Sequence, residues 1–520
     1  MQNNLFKNIT HNDFINLNKE ELNKFFQFFE NQKIYTDSII KERDELIKKN
    51  KVLEEKIIEV EGQLILLRRR QFRKKSEKIV PTEEDKKLTE APNKKRKKRD
   101  TVKLLPSERY PEAEIIEEEL TFKELPICSC CNATMMDSGM KEVTEYLNVK
   151  PKEYFIVRQV KHKYRCSKCY SNIIIPQSPK RIIPGSAYGD DLIIDVALSK
   201  YCDLVPIERY SSIVGRAGLV DLPPNSLIGL VHKLAEISEP AELGVKEECL
   251  DSFKLNADET PQRMFEQVEK KTWYLWSFST PESCYFEIRD TRSGDVASEF
   301  LNKSKCEYLI SDVYSGYAKA VRETNKIRQL LNLKPVINVY CNAHARRKFV
   351  EAAESFPKES LFYINRYKEI YELEKEGKDS PSFILIKNRN EMKRIFELMR
   401  GHAETEKESY SSKSSLVTAL NYFLKNFDGL TIFTDNADLP IDNNAAERVL
   451  RNPVIGRKTW YGTHSKQGAR TAQIMFTLVE SCKLNKINPR EYFKDLVSSI
   501  LDGKKSFTPR QYKLGLTDTS

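Results

Sequence analysis

The stretch LNADETP, residues 255–261, decides the fold of this chain. From Phe253 to Ala257, apolar side chains alternate with polar ones, a pattern that predicts a half-buried β-strand. Two adjacent carboxylates, Asp258 and Glu259, come at the end of this strand, and a proline ends the run. Because neighbouring carboxylates repel one another, the stretch predicts a cation nearby and further acids that share it.

The segments after residue 252 have the order of a mixed α/β fold. The predicted strands are 253–257, 272–279, 283–288, 307–311 and 336–340, and the predicted helices are 296–301, 318–331 and one from His344 onward. This order is that of a ribonuclease H-like fold, in which the ends of the first and fourth strands are neighbours. Asp312 directly follows the fourth strand, so we expect it to face Asp258.

Two facing carboxylates indicate a site for a hard divalent cation. Mg²⁺, or Mn²⁺ in its place, takes oxygen ligands and keeps waters for substrate phosphates. A third acid would complete a two-metal site for in-line displacement at phosphorus. The best candidate is Glu447, in the stretch IDNNAAERVLR at residues 441–451. The same stretch has another interpretation, because Asn444 and Glu447 have the spacing of a capping box and Asp442 could cap the helix.

Seven basic residues are candidates for contact with a nucleic-acid backbone. They are Arg346, Arg347, Lys348, Arg448, Arg451, Arg457 and Lys458. The last four follow Glu447 at once, which is unusual for a capping sequence and suits a bound phosphodiester. For the first three, a solvated helix face is the alternative. Cys341 and His344 have the spacing of half a metal site, but no second ligand pair lies near them in the sequence, so we expect them not to bind zinc.

Four cysteines in two CxxC pairs predict a zinc site. The pairs are Cys128/Cys131 and Cys166/Cys169, with 34 residues between them. Four thiolates in two tight turns suit tetrahedral Zn²⁺ and leave no open position, so the zinc is expected to be structural. Predicted strands at 154–160 and 163–165 make the segment a zinc ribbon. The insert is longer than is usual for a ribbon, and Cys130 could replace a neighbouring ligand.

The region before the cysteines predicts a long helix. Residues 37–70 contain no proline, and one heptad seam holds Leu46, Leu53, Val60 and Leu67. The other seam includes Asn50 and Ile57, and this pattern is that of a coiled coil in which the buried asparagine favours a parallel dimer. A helix that packs on its own protein is the alternative.

Two further segments precede the predicted sheet. Charged runs from 68 to 99, interrupted by prolines, predict a mobile linker that could also hold phosphates loosely. Residues 190–237 predict three short helices around a glycine-containing break, which resembles a helix-turn-helix. The same arrangement occurs in helical domains that do not read DNA.

Composition limits the class of protein. The chain has 520 residues, too many for one core, and a net charge of +10 that favours a polyanionic partner. It contains no apolar run of membrane-spanning length and no apolar core of a signal peptide near its start. Eleven cysteines without a secretion signal indicate reduced thiols and a metal site rather than disulfides.

Taken together, the motifs resemble those of the large transposase subunit of the insertion sequence 66 family. The matching segments, in order, are ADETP (257–261), TRSG (291–294), SDVYSGY (311–317), NAHARRKF (342–349), IDNNAAERVLR (441–451), GRK (456–458) and KLNKINPREY (483–492). The cysteine pairs and the N-terminal helix also fit. One departure is Asn342, which stands where we expect a tryptophan in the family.

The resemblance implies a DNA transposase with Asp258, Asp312 and Glu447 as its acidic DDE triad. Such an enzyme would bind the terminal inverted repeats of its own element, hydrolyse the strands with Mg²⁺ or Mn²⁺, and join them to target DNA. It would act as a homodimer or higher oligomer, with small accessory proteins of the same element as further partners. Its expected location is the cytoplasm, at the bacterial nucleoid, and not a membrane. The alternative is a DNA-binding regulator whose ribonuclease H-like domain is catalytically inactive.

The expected architecture is therefore a multidomain α/β protein. Its regions are an N-terminal coiled-coil dimerisation region (1–75), a charged linker (76–120), a zinc ribbon (121–185), a helix-turn-helix-like domain (186–245), a ribonuclease H-like catalytic domain (246–480) with a helical insertion at about 350–435, and a helical tail (481–520).

Overall fold

The computed structural model describes residues 19–72 and 105–517, apart from short gaps. The gaps are 112–113, 119–123, 125, 128, 133, 135–142, 149–151, 166, 168–172, 220–221, 266–269 and 379. Contacts divide the chain into two units, one of residues 1–73 and 161–520 and the other of residues 74–160. Among the helices in the described ranges, none combines the length and the apolar content needed to cross a bilayer.

Five helices precede the central sheet in the described residues. In chain order they are α1 (Lys19–Phe72), α2 (Pro106–Arg109), α3 (Asp190–Tyr201), α4 (Ile207–Arg216) and α5 (Pro224–Leu250). A small hairpin between α2 and α3 pairs β1 (Tyr164–Arg165) with β2 (Ile173–Ile174). The third helix of the predicted helix-turn-helix is twice as long as expected, because α5 continues through Pro240 and buries Ala241, Val245 and Cys249 on one face.

The smaller unit has little regular structure among its described residues. Glu145 accepts hydrogen bonds from the N–H and the hydroxyl of Ser107 in α2, both at 2.9 Å. Residues 154–160 form no strand, so the prediction of a zinc-ribbon strand there is wrong. The physical reason is that Phe155 and Ile156 are 83% and 92% exposed, and an extended segment with no surface to cover its apolar side chains gains nothing from pairing.

A five-stranded mixed sheet forms the centre of the larger unit. Its strands and the helices between them are β3 (Lys254–Arg263), β4 (Thr272–Ser279), β5 (Cys284–Arg289), α6 (Gly294–Leu301), β6 (Tyr308–Ser311), α7 (Ser315–Leu330), β7 (Ile337–Tyr340) and α8 (Asn342–Ala352). The spatial order is β5-β4-β3-β6-β7. β3, β4 and β5 are antiparallel, whereas β6 and β7 pair in parallel and are reached through helices, as parallel strands require.

The first strand is longer than the sequence pattern predicts. β3 was expected to end at Asp258, but it continues to Arg263 because β4 pairs with it as far as Thr272. On its other side, the parallel pairing with β6 stops at Asn256, which is opposite Ile310. Beyond Asn256, β3 has no neighbouring strand on the β6 side. Pro261 is therefore tolerated in the strand, because no strand on that side requires the N–H that proline lacks.

The remaining helices follow the sheet in the sequence. They are α9 (Pro357–Lys378), α10 (Ser382–Lys407), α11 (Ser415–Lys425), α12 (Phe427–Thr431), a 3₁₀ turn (Ile432–Asp435), α13 (Asn444–Trp460), α14 (Lys466–Leu484), α15 (Pro489–Leu501) and α16 (Pro509–Lys513). The helical insertion predicted at about 350–435 is therefore present as α9 to α12. Its core joins the sheet through Ile310 and Val339, which are buried with Phe349 and Phe423.

Helix α14 protects the edge strand β5 in an unusual way. The N–H groups of Cys284, Phe286 and Ile288 point away from β4, and each donates to a side chain of α14. The acceptors are Ser481 (3.1 Å), Thr477 (3.1 Å) and Gln473 (3.4 Å). The spacing matches because two residues of a strand rise about as far as four residues of a helix. The outward-facing N–H groups of β5 thus have hydrogen-bond acceptors although no sixth strand pairs with this edge.

Candidate active site

Asp258 lies in β3 just beyond the last residue that pairs with β6. Its Oδ1 accepts the N–H of Glu259 at 2.9 Å. The residue opposite Asp258 on the neighbouring strand β4 is Ser277. The pKa of Asp258 is raised to about 8, first because burial disfavours the charged form, and then because the carboxylates of Glu259, Asp312 and Glu447 are close. The carboxylates of Asp312 and Glu447 are therefore close enough to Asp258 to raise its pKa.

Asp312 follows the last residue of β6, as expected. Its Oδ1 accepts the N–H of Tyr314 at 3.0 Å, which holds the turn that leads into α7. Next to this turn, the guanidinium of Arg292 lies 4.2 Å from the centre of the Tyr314 ring, and the Tyr314 hydroxyl donates to the Arg292 carbonyl. The carboxylate of Asp312 is thus presented by a braced turn rather than by a free loop.

Glu447 reaches the site from the first turn of α13, and Asn443 is the residue that aligns this helix. The buried Asn443 side chain donates to the carbonyl of Ala257 and accepts from the Asn256 amide, both at 2.8 Å. Its own N–H donates to the Sγ of Cys341 at 3.2 Å. The residue before α13 is therefore tied to the strand of the first acid. Sequence reasoning missed Asn443, although it lies between two polar residues in the IDNNAAER motif.

The capping interpretation of Glu447 is wrong, whereas that of Asp442 is right. Asn443 is the residue directly before the helix, its side chain accepts no N–H of the first turn, and Glu447 is the fourth helical residue rather than the third. Asp442 accepts the N–H of Asn444 at 3.1 Å and so satisfies one free donor of the first turn. The Oε1 of Glu447 is buried and has no hydrogen-bond partner among the described residues.

His344 lies opposite Glu447. Its Nδ1 is 3.7 Å from Oε1 of Glu447, and this nitrogen is also buried without a hydrogen-bond partner in the described part of the chain. The Sγ of Cys341, a ring nitrogen of His344 and a carboxylate oxygen of Glu447 all lie within 4.8 Å of one another. The sequence offered no third ligand beside Cys341 and His344, because Glu447 is brought to them only by the fold.

Glu259, the second acid of the LNADETP stretch, faces away from Asp258. Its side chain is only 2% exposed and accepts from Arg292 Nε (2.9 Å), Arg292 Nη2 (2.6 Å) and the Tyr317 hydroxyl (2.6 Å). Burial raises its pKa, while these donors oppose that rise. Glu259 therefore holds Arg292, which in turn braces the Asp312 turn.

The predicted basic residues lie on α8 and α13. Arg346, Arg347, Arg448, Arg451 and Lys458 are exposed, and none of the five forms an ion pair within the described ranges. Lys348 is half-buried and pairs with Glu351 at 3.4 Å. Arg457 donates to the Thr260 hydroxyl at 3.1 Å, so it lies beside β3. These residues share the two helices that carry His344 and Glu447.

The predicted zinc ligands are largely beyond what the structure describes. Cys128, Cys166 and Cys169 lie outside the described residues, and Cys130 and Cys131 are both exposed. The zinc site therefore stays a prediction from the sequence.

Comparisons with known proteins agree with this picture. The model of the family described as "Transposase IS66 family" matches residues 185–471, a range that contains the sheet, the insertion and all three acids. Among curated proteins, the chain is similar to the uncharacterized protein y4hP of Sinorhizobium fredii, with 26% identity over 76% of this chain and 74% of that protein. It is also similar to the uncharacterized proteins y4jD (22% identity, 72% of this chain, 75% of that protein) and y4qI (25%, 74% and 72%) of the same organism.

Proposed function

The chain belongs to the IS66 transposase family, and from this membership we propose that it cleaves and joins DNA strands with Asp258, Asp312 and Glu447 as its catalytic acids. The observation that carries the proposal is the hydrogen bond from Asn443, directly before the helix of Glu447, to the carbonyl of Ala257, the neighbour of Asp258. The raised pKa of Asp258, to which burial contributes most and Asp312 and Glu447 also contribute, supports the same placement. Acids separated by many residues in the sequence would then share one partly buried site. A ribonuclease H-like core is part of the proposal, and the strand order supports it.

The donor set fits Mg²⁺ or Mn²⁺. All three groups are carboxylates, and among the described residues none of them forms an ion pair with a Lys or Arg side chain. Oxygen donors of this kind are those that Mg²⁺ and Mn²⁺ prefer. When bound, the ions would activate the attacking water or 3′-hydroxyl and stabilise the leaving oxygen.

The protein's own residues hold the three carboxylates in fixed positions. Asp258 is held in the strand and Asp312 by the turn at Tyr314, so both carboxylates are preorganised before DNA arrives. Asn443 ties the helix of Glu447 to Ala257, so that the third carboxylate keeps its distance from the first. The exposed arginines of α8 and α13 would bind the phosphates of the terminal repeats and of the target.

Self-association through α1 belongs to the same proposal. This helix has 54 residues, and Leu46, Leu53 and Ile57 are each more than half exposed. An apolar seam along a helix in water needs a partner, and a second copy in a parallel coiled coil covers it. A structural zinc on the four predicted cysteines, small accessory proteins of the element, and a place at the nucleoid complete the proposal.

Cleavage of a duplex that carries the terminal repeat of the element tests the function. We expect cleavage with Mg²⁺ or Mn²⁺, none with EDTA, and none from Asp312→Asn. The variant Asp438→Asn, an exposed acid in the loop before α13, is the matched control and should cleave as the wild type does. Activity of Asp312→Asn equal to that of the wild type would overturn the assignment of the acids.

A further inference from the structure

Two helix starts meet at the third acid. His344 is the third residue of α8, and Glu447 is the fourth residue of α13. The Cys341 Sγ, immediately before α8, accepts the N–H of Asn443, immediately before α13. In addition, the Asn342 side chain donates to the carbonyls of Leu430 (2.9 Å) and Ile441 (3.0 Å). The relative position of the two helix starts is therefore set by the hydrogen bonds of Cys341 and Asn342, which lie next to the His344–Glu447 pair in the sequence.

Within this frame, two buried polar atoms face each other without other partners. His344 Nδ1 and Glu447 Oε1 are 3.7 Å apart, and neither has a hydrogen-bond partner among the described residues. Buried polar atoms in native proteins are nearly always paired. The gap exceeds a normal N–H···O distance by less than about 1 Å, which a small side-chain rotation closes. Each atom is thus the available partner of the other.

We infer that His344 is a positioning residue of the catalytic centre, which donates from Nδ1 to Oε1 of Glu447 and thereby orients its carboxylate toward Asp258 and Asp312. The inference rests on the proposed function. Carboxylates that bind metals are commonly held by a hydrogen bond to the oxygen that faces away from the ion, and loss of such a bond weakens metal binding. In Glu447, Oε1 is the buried oxygen without a partner, so it is the one that the imidazole can hold.

A different role is a direct metal ligand, with Cys341 as a further ligand. The geometry favours positioning, because the Cys341 Sγ is buried and already accepts the Asn443 N–H. Zinc binding by Cys341, His344 and Glu447 is therefore an outcome that the test has to distinguish.

The test compares His344→Leu with His344→Asn in the full chain. In the asparagine variant an amide N–H can replace Nδ1–H, whereas leucine has no donor. The readouts are the Mg²⁺ concentration that gives half-maximal cleavage and, without DNA, the affinity for Mn²⁺ by titration calorimetry. We expect His344→Leu to weaken both by about 10–100-fold, and His344→Asn to recover part of that loss.

His402→Leu is the matched control. His402 lies in the helical insertion and also has its Nδ1 near a glutamate, at 3.5 Å from Oε2 of Glu406. This variant should change neither readout, and thermal unfolding should show that all variants fold.

Unchanged metal dependence in His344→Leu would overturn the inference, provided that the wild type cleaves. No cleavage by the wild type, together with normal Mn²⁺ binding that weakens in His344→Leu, would refute the proposed function but retain the positioning role. Equal losses in His344→Asn, His344→Leu and Cys341→Ser, with Zn²⁺ bound more tightly than Mn²⁺ by the wild type, would replace positioning by direct ligation.

Discussion

Replacement of Asn443 by leucine tests whether one buried amide connects the third acid to the sheet. The side chain is 1% exposed, donates to the Ala257 carbonyl and accepts from the Asn256 amide, both at 2.8 Å. Leucine has a similar volume, so the change removes the two hydrogen bonds without a large cavity. It leaves the amide of Asn256 buried without an acceptor.

The expected loss follows from these contacts. Each hydrogen bond contributes about 1 kcal/mol net, and a buried partner left unpaired costs about 1–3 kcal/mol. We therefore expect the free energy of unfolding to fall by about 2–4 kcal/mol. We expect the cleavage rate to fall by roughly 10²-fold, because displacement of a catalytic group by about 1 Å lowers a rate by that much.

Urea unfolding followed by tryptophan fluorescence measures the first effect, and cleavage per folded molecule measures the second. Asn485→Leu is the control, since Asn485 is 2% exposed and donates to the carbonyls of Glu282 and Ser481 near the turn between β4 and β5. It should lose stability but keep its cleavage rate. A full cleavage rate in Asn443→Leu, or a stability loss below about 0.5 kcal/mol, would refute the role of Asn443.

Three further outcomes are expected. Thr477→Val should destabilise the chain by about 1–3 kcal/mol in urea unfolding, because the Phe286 N–H loses its acceptor, whereas Thr477→Ser should not. Gly462→Ala should cost about 1–3 kcal/mol, because Gly462 has φ +139° and an added Cβ would lie 2.4 Å from the Arg263 carbonyl oxygen; Gly401→Ala, where nothing lies within 4 Å, is the control. In EDTA, Asp258→Asn should be more stable than the wild type at pH 8. The Asp258 pKa is about 8 in the folded chain and near 3.8 when unfolded, so the wild type loses stability as the pH rises between these values. The advantage of the variant should therefore shrink toward pH 4, and an equal advantage at both pH values would contradict the raised pKa.

Local patterns predict the elements of the sheet closely. The aromatic-rich run TWYLWSFS identifies β4 over the residues that form it, Thr272–Ser279. The same reasoning failed for β3, which continues past Asp258 because β4 supplies its partner on one side. It also failed at residues 154–160, whose apolar side chains have no surface to cover them. Strand ends depend on neighbours that a single segment does not contain.

In the candidate site, too, some residues are predicted from local sequence and others are found only in the folded structure. The acids and the basic residues after Glu447 are visible in the sequence because strand ends and charge density are local properties. The partners that align these residues cannot be read from the sequence, since Asn443 meets Ala257 across 186 residues and His344 meets Glu447 across the whole helical insertion. Nor does the sequence pair Ser481, Thr477 and Gln473 of α14 with the edge of β5.

By itself, the sequence determined where carboxylates and positive charges are clustered, and it determined the order of strands and helices, because both follow from side-chain chemistry and short-range periodicity. Only the tertiary structure decided which buried polar groups satisfy one another. A hydrogen bond depends on distances of a few tenths of an ångström between distant segments, and those distances exist only once the whole core has packed.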